Sequence, residues 1–394
     1  MKPSAPNLRR MAVVVYGAGM LQGFAFTLVP ALATVFTAAP YHAGARAFGA
    51  LFVPLTLGAI LGASITAAIA RRRSVLGALR LGIVANAIAL LALMVSRLAG
   101  PFAYDLLLID TAALGMGFGL NFSAVNELAS LLPPNETVAV TLANVCTGLG
   151  TSLTPILIAG FVSVGLWELW PALLLVAFIA VLVLSSRCTV PARTRMAAPA
   201  RRVSFVLVLF ATAALLYGFC EGTFSSWATT FVHLDRRFSL GAGEAALTGF
   251  WLALTAGRLA IAPLYRRLTP SFAYVTFPLL IALAFVALPL WQIPAELVMG
   301  FILGGLACSI VFPYAISLSL DALPADADRV AGVMVAALMS GEGVGTFVVG
   351  ILRDDAGLPL VAIYRGAAAV AFALSIVAML SRSASRVSAA NSRA

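Results

Sequence analysis

Four ionisable side chains stand inside long apolar runs of this sequence: Asp110, Glu221, Arg258 and Glu342. At membrane depth such a group costs about 2.5–3.5 kcal/mol on insertion scales, so it is retained where it faces a cavity, a partner or an ion path. A carboxyl group there can exchange a proton, and a guanidinium can hold an anion. A purely structural reading also exists for each of them, as hydrogen-bonding or ion-pair partners between helices. Arg258 in particular is expected to be neutralised by Glu221 or Glu342, because an unpaired guanidinium would be costly. Residues spaced i, i+4, i+7 or i+11 share one side of a helix. That spacing places Tyr217, Glu221, Phe224 and Ser225 on one face, and Asp110, Gly117 and Asn121 on another. Aromatic walls with a few oriented polar groups suit a small polar solute. Gln22 and Tyr314 extend the set; Asn126, Asn144 and Trp227 are further candidates, with interhelical packing as their alternative. Glu342 lies between Gly341 and Gly343, where a second helix can approach closely.

Patterns for other chemistry are missing. There is no HExxH, GxSxG, CxxC or phosphate-binding loop in a suitable context, so an enzyme is not expected. Cys146, Cys188, Cys220 and Cys308 are scattered and lack a nearby histidine, which indicates packing residues and neither a disulfide framework, a metal site nor a cofactor. His42 and His233 fall at helix ends, where an interfacial role is expected. Asp326, Asp328 and Arg329 read as a solvated loop that caps the next helix.

The elements that must position these groups are membrane helices. Of 394 residues, 62% are hydrophobic and 10% charged, against roughly 45–50% and about 25% in soluble domains; the mean hydropathy is +1.03. Twelve stretches reach the roughly 20 residues needed to cross about 30 Å of hydrocarbon as a helix. They run over 11–36, 46–70, 75–96, 102–132, 136–165, 168–186, 204–233, 243–265, 272–291, 295–321, 329–352 and 358–381. Barrel strands are excluded, since these runs are too long and too uniformly apolar. The run from Met11 to Phe36 is about twice the length of a signal core, so it is expected to be a first spanning helix.

A net charge of +10 invites a nucleic-acid reading, but the positions of the 25 basic residues argue otherwise. With both termini on one side, eighteen of them fall in segments on that side, six on the other, and Arg258 within a helix. That bias follows the positive-inside rule and predicts cytoplasmic termini in a multi-pass protein of the cell membrane, the inner membrane if the source is bacterial. No nucleic-acid partner is expected; the lipid bilayer and a small solute are, with a single chain as the functional unit.

The longest polar break, Arg187 to Val203, carries five arginines with Pro191 and Pro199. It divides the chain into an N-terminal half (1–186), a linker (187–203) and a C-terminal half (204–394), each half with six helices. The halves look like repeats. At an offset of 199, Gln22-Gly23 falls on Glu221-Gly222 and Gly58 on Gly257; at an offset of 195, Gly148-x-Gly150-Thr151 falls on Gly343-x-Gly345-Thr346. Two parallel repeats imply an all-α membrane protein built around a central cavity, with a substrate site near the bilayer midplane.

Over nearly its whole length the sequence resembles the major facilitator superfamily. The loop after the second helix in that superfamily is similar to Gly-x-Leu-Ala-Asp-Arg-x-Gly-Arg-Arg; here Ala63 to Ala70 leads into Arg71-Arg72-Arg73, with Ala67 in place of the acid. The equivalent loop after the eighth helix reads Ala262-Pro263-Leu264-Tyr265-Arg266-Arg267, again without the acid. Within the superfamily the likeness is greatest to the fucose permease-like group. It rests on Tyr217-Gly218-x-x-Glu221, Phe250-Trp251, Gly257-Arg258, Asn126, and Asn144 followed by Gly148-x-Gly150 and Pro155. Members of that group are similar in carrying acids in the first and fourth helices, where this chain has Phe26 and Asn121 or Phe122. What the resemblance implies is a secondary transporter for a small polar solute or metabolite, working by alternating access. Proton coupling through Glu221 or Glu342 is the expectation from the residues themselves. The alternatives are proton-driven efflux of a drug-like or siderophore-like metabolite, a membrane-embedded enzyme, and a channel.

Overall fold

The computed structural model describes residues 5–190, 204–264, 269–324 and 327–391. Most of the predicted linker, Arg266, Arg267 and Asp326 lie outside them. The described residues form helices joined by turns, with no strand among them. Hydrocarbon offers no partner for a backbone N–H or C=O, so each spanning segment must satisfy its own, which a helix does.

Twelve long helices follow in order: α1 (Asn7–Thr37), α2 (Ala45–Arg72), α3 (Val75–Ser96), α4 (Gly100–Ala129), α5 (Val138–Ser163), α6 (Leu169–Ser186), α7 (Phe205–Asp235), α8 (Leu240–Leu264), α9 (Pro270–Leu290), α10 (Pro294–Ala322), α11 (Arg329–Asp354) and α12 (Leu360–Arg386). Eleven are apolar enough to cross a membrane by length and composition among the described residues, and α8, 25 residues long, stands where the remaining span is predicted. Side chains close several N-termini: Ser74 accepts from the Gly77 N–H, Asn135 from Val138, Ser204 from Val206 and Thr269 from Phe272. Several helices are interrupted among the described residues: α1 at Thr27 and Leu32, α2 at Leu51, and two others more markedly. α10 breaks at Ser309-Ile310, just before Pro313, which has no N–H to give to the ladder. α7 ends in a π-helical turn, Thr230–Asp235.

The chain clusters into two compact units, one built on α1 and on α2 to α6 from Ala50 onward, the other on α7 to α12 together with the short segment Gly44–Gly49. In the first unit α1 packs on α5, and α4 on α2 and α3; in the second α7 packs on α11, α8 on α10 and α9 on α12. Small residues make these approaches possible. A Cβ added at Gly222 would lie 2.5 Å from the Glu342 carbonyl oxygen, and one at Gly23 would collide with the Thr147 carbonyl. These are equivalent contacts under the two offsets read from the sequence. Hydroxyls repeat the pattern: Thr27 donates to the Thr151 carbonyl at 3.1 Å, and Ser226 meets the Thr346 hydroxyl at 2.9 Å.

Candidate functional site

Each unit holds its own polar cluster at the middle of its helices. In the first, Gln22 on α1 meets two asparagines. Its Oε1 accepts from Asn86 Nδ2 on α3 at 2.8 Å and from Asn121 Nδ2 on α4 at 3.0 Å, and its Nε2 donates to Asn86 Oδ1 at 3.4 Å. Asn86 also donates to the Gly82 carbonyl at 2.9 Å. All three amides are buried, and Asn121 Oδ1 has no hydrogen-bond partner. Gly82 and Gly117 leave room for the amides, since a side chain at either would overlap Asn121 or Asn86. Beside them, where the resemblance points to acids, Phe26 packs on Phe118 at 4.7 Å and Phe118 stacks on Phe122 at 5.4 Å. The cluster is neutral and can offer hydrogen bonds and aromatic faces.

The second cluster is charged. Glu221 on α7 is buried, with Oε1 3.8 Å from Nη2 of Arg258 on α8. This is an ion pair, too long for a hydrogen bond. Glu342 on α11 is also buried and feels the charges of both Glu221 and Arg258. Tyr217, one turn before Glu221, donates its hydroxyl to the Cys308 carbonyl at 3.0 Å and stacks on Phe312 at 6.0 Å. The predicted neutralisation of Arg258 by a buried acid is therefore present, with Glu221 as the nearer partner. The Arg258 side chain is nevertheless 42% exposed against 6% for Glu221, so its outer edge is open to a further anionic or hydroxylated group.

The remaining candidates fall elsewhere. Asp110 is eleven residues from Asn121, about 16 Å along the axis of α4, so the face predicted to join them spans two separate places. Its carboxylate is buried with Oδ2 unpartnered, near Tyr41, which hydrogen-bonds Ser96 at 2.8 Å. Asn126 and Asn144 pair with each other at 3.0 Å, linking α4 to α5. Trp227 donates to the Thr346 carbonyl at 3.2 Å and meets the Phe48 ring edge-on at 5.2 Å, a packing role at the α7–α11 crossing. Ser225 and Tyr314 are buried. Two polar residues escape sequence reasoning. Asn86 is a lone amide in an apolar run, the signal by which it could have been found. Glu244, five residues into α8, is fully buried beside Thr229, and neither carboxylate oxygen has a hydrogen-bond partner among the described residues.

No protein-family model matches the chain, and no curated protein matches its sequence. Solved structures do resemble it. The xylose transporter XylE from E. coli, in an inward-open conformation, superposes with a TM-score of 0.76 at 13% identity, over 94% of this chain and 96% of that one. A mutant of the nucleoside transporter NupG gives 0.74 at 13%, over 96% and 99%. A POT family transporter in complex with 5-aminolevulinic acid gives 0.71 at 14%, over 94% and 95%. The chain has the major facilitator fold. At these identities the likeness concerns the fold, and the polar clusters must be argued on their own geometry.

Proposed function

We propose that this chain is a secondary transporter of a small polar solute, coupled to protons at the Glu221–Arg258–Glu342 cluster. The observation that carries the reading is that cluster itself: the buried Glu221 carboxyl group 3.8 Å from a partly open guanidinium, with a second buried acid, Glu342, within electrostatic reach of both, in the major facilitator fold. Two acids and one cation leave a proton to be bound or released, and a solute that engages Arg258 would shift that balance. The neutral amides around Gln22 supply hydrogen bonds suited to hydroxyl or carbonyl groups. Among solved structures of this fold are a xylose transporter, a D-xylose-proton symporter and a nucleoside transporter, which supports a polar, hydrogen-bonding solute. The finer likeness to the fucose permease-like group is supported by Tyr217, Glu221 and Arg258, which its motifs share and which lie together. Within this reading the termini are cytoplasmic, the basic linker joins two six-helix halves, and one chain suffices.

The test is reconstitution into liposomes with sugars, nucleosides, amino acids and carboxylates, read as counterflow and as pH-gradient-driven accumulation. A saturable, counterflow-competent flux is expected for one solute class. Glu221→Gln keeps shape and hydrogen-bonding capacity but removes titration; accumulation driven by the pH gradient should fall at least about tenfold while counterflow persists. Chemical conversion of the solute, or unsaturated ion flux, would overturn the transporter reading. Full gradient-driven transport by Glu221→Gln would move the coupling role to Glu342 or Asp110.

A further inference from the structure

The segment Leu234-Asp235-Arg236-Arg237 closes α7 with three charged residues in a row, and the last turn of α11 brings up a fourth, Arg353. The closing turn is π-helical, Thr230–Asp235, a wide turn found frequently at functional sites. It is braced by His233 Nδ1, 2.6 Å from the Phe238 carbonyl. Asp235 and Arg236 are held in place by neighbours. Arg353 grips both carboxylate oxygens of Asp235, with Nη1 2.8 Å from Oδ2. Arg236 donates through Nη2 to the Pro289 carbonyl at 2.5 Å and lies over the Phe231 ring, 5.2 Å from its centre. Its Nε is buried and has no hydrogen-bond partner among the described residues. Arg237 is exposed and sits in the left-handed region at φ 57°, a strained conformation for a side chain of its size.

These residues line a cavity of about 490 Å³ with Leu358 and Pro359 on its rim. Three arginines and one carboxylate line it, and both oxygens of that carboxylate are already engaged by Arg353. The two acids that follow Arg353 do not redress the balance. Asp354 accepts from the Arg46 backbone N–H at 2.7 Å, Asp355 pairs with the Arg46 guanidinium at 3.2 Å, and neither lines the cavity. What is left is an excess of positive charge with fork-shaped donors, beside an apolar rim.

We propose that this cavity is a binding site for a phosphate or carboxylate group borne on a partly apolar body. Arg236 and Arg237 supply charge-assisted hydrogen bonds, and the Arg353–Asp235 pair holds the floor rigid. The ligand chemistry fits either an anionic lipid headgroup or a soluble organic anion. The site is separate from the Glu221 cluster and does not depend on the transport reading.

The test uses the full chain, purified in a neutral detergent, with inorganic phosphate as probe at constant ionic strength and chloride as control. Phosphate should raise the unfolding midpoint saturably where chloride does not. Arg237→Gln should weaken the apparent affinity about tenfold and leave the unliganded midpoint unchanged; Arg236→Gln should weaken it as well and also lower the unliganded midpoint, because it loses the bond to the Pro289 carbonyl and the contact with Phe231. The same titration in lipid nanodiscs separates the sources. A phosphate response that survives in phosphatidylglycerol discs assigns the site to a soluble anion. One that vanishes there but persists in phosphatidylcholine, with phosphatidylglycerol retention lost in Arg237→Gln, assigns it to a headgroup. A phosphate effect no larger than that of chloride, or one undiminished in both variants, overturns the proposal.

Discussion

In the first unit Gly23 seats α1 on the backbone of Thr147, and the neighbouring Gln22 ends in a pair of asparagine amides. In the second, Gly222 seats α7 on the backbone of Glu342, and the neighbouring Glu221 ends beside a guanidinium. The two crossings are the same and their chemistry is opposite. A glutamine and a glutamate are nearly isosteric, so the repeat could keep its packing while one copy lost or gained a titratable group. Helix crossing is a matter of backbone approach, which glycine settles; polarity is a matter of the next residue along, which can change without disturbing it. At these two crossings the titratable residue stands in the second unit and the neutral amides in the first.

The largest expected effect tests the shared part of this comparison. Gly222→Val puts a branched side chain where even a Cβ would press on the Glu342 carbonyl, and overpacking of that kind costs about 3 kcal/mol. Folded yield and the unfolding midpoint in detergent should fall sharply, and Gly23→Val should do the same in the first unit. A midpoint unchanged in either variant would break the equivalence of the crossings.

Next comes the charged half. Arg258→Ala strips the cation from two buried acids and should destabilise by about 2 kcal/mol, below the ~3–5 kcal/mol of a fully buried pair because the guanidinium is partly exposed. Adding Glu221→Gln should recover part of the loss, since Glu342 is then the one acid of the cluster left without the cation. If Arg258→Ala is fully stable and loses only affinity for an anionic solute, Arg258 is a ligand contact and the pairing is incidental.

The smallest effect is expected in the neutral half. Asn86→Ala removes its hydrogen bonds to Gln22 and should cost about 1 kcal/mol, the net worth of ordinary buried hydrogen bonds. The measurement is again the unfolding midpoint, taken with and without solute. A cost larger than that of Arg258→Ala would mean that the amide cluster, not the charged one, is the principal polar tie.

Much of this was legible in the sequence. The twelve spans follow from length and hydropathy, because a helix crossing hydrocarbon has little choice of extent. The match of Gln22-Gly23 to Glu221-Gly222 named the residues at the two crossings, since glycine at a close approach has no substitute. That Arg258 would be met by a buried acid followed from the cost of charge in lipid. Which partner each polar residue takes was not legible. Asp110 and Asn121 share a helical face yet lie in separate surroundings, and Glu244 is fully buried although it stands at a helix start.

The physical reason is that lipid is as apolar as the protein interior, so hydrophobic periodicity no longer marks the buried face of a helix. In α3, Leu91 is 48% exposed and Leu93 1%, with nothing in the residue type to tell them apart. Sequence alone therefore determined how many helices cross, which of them repeat and which charges had to be accommodated. Only tertiary packing decided that Asn86 turns toward Gln22, that Arg258 comes to Glu221, and that the π-helical end of α7 gathers its arginines around a cavity, because each depends on how helices rotate about their own axes.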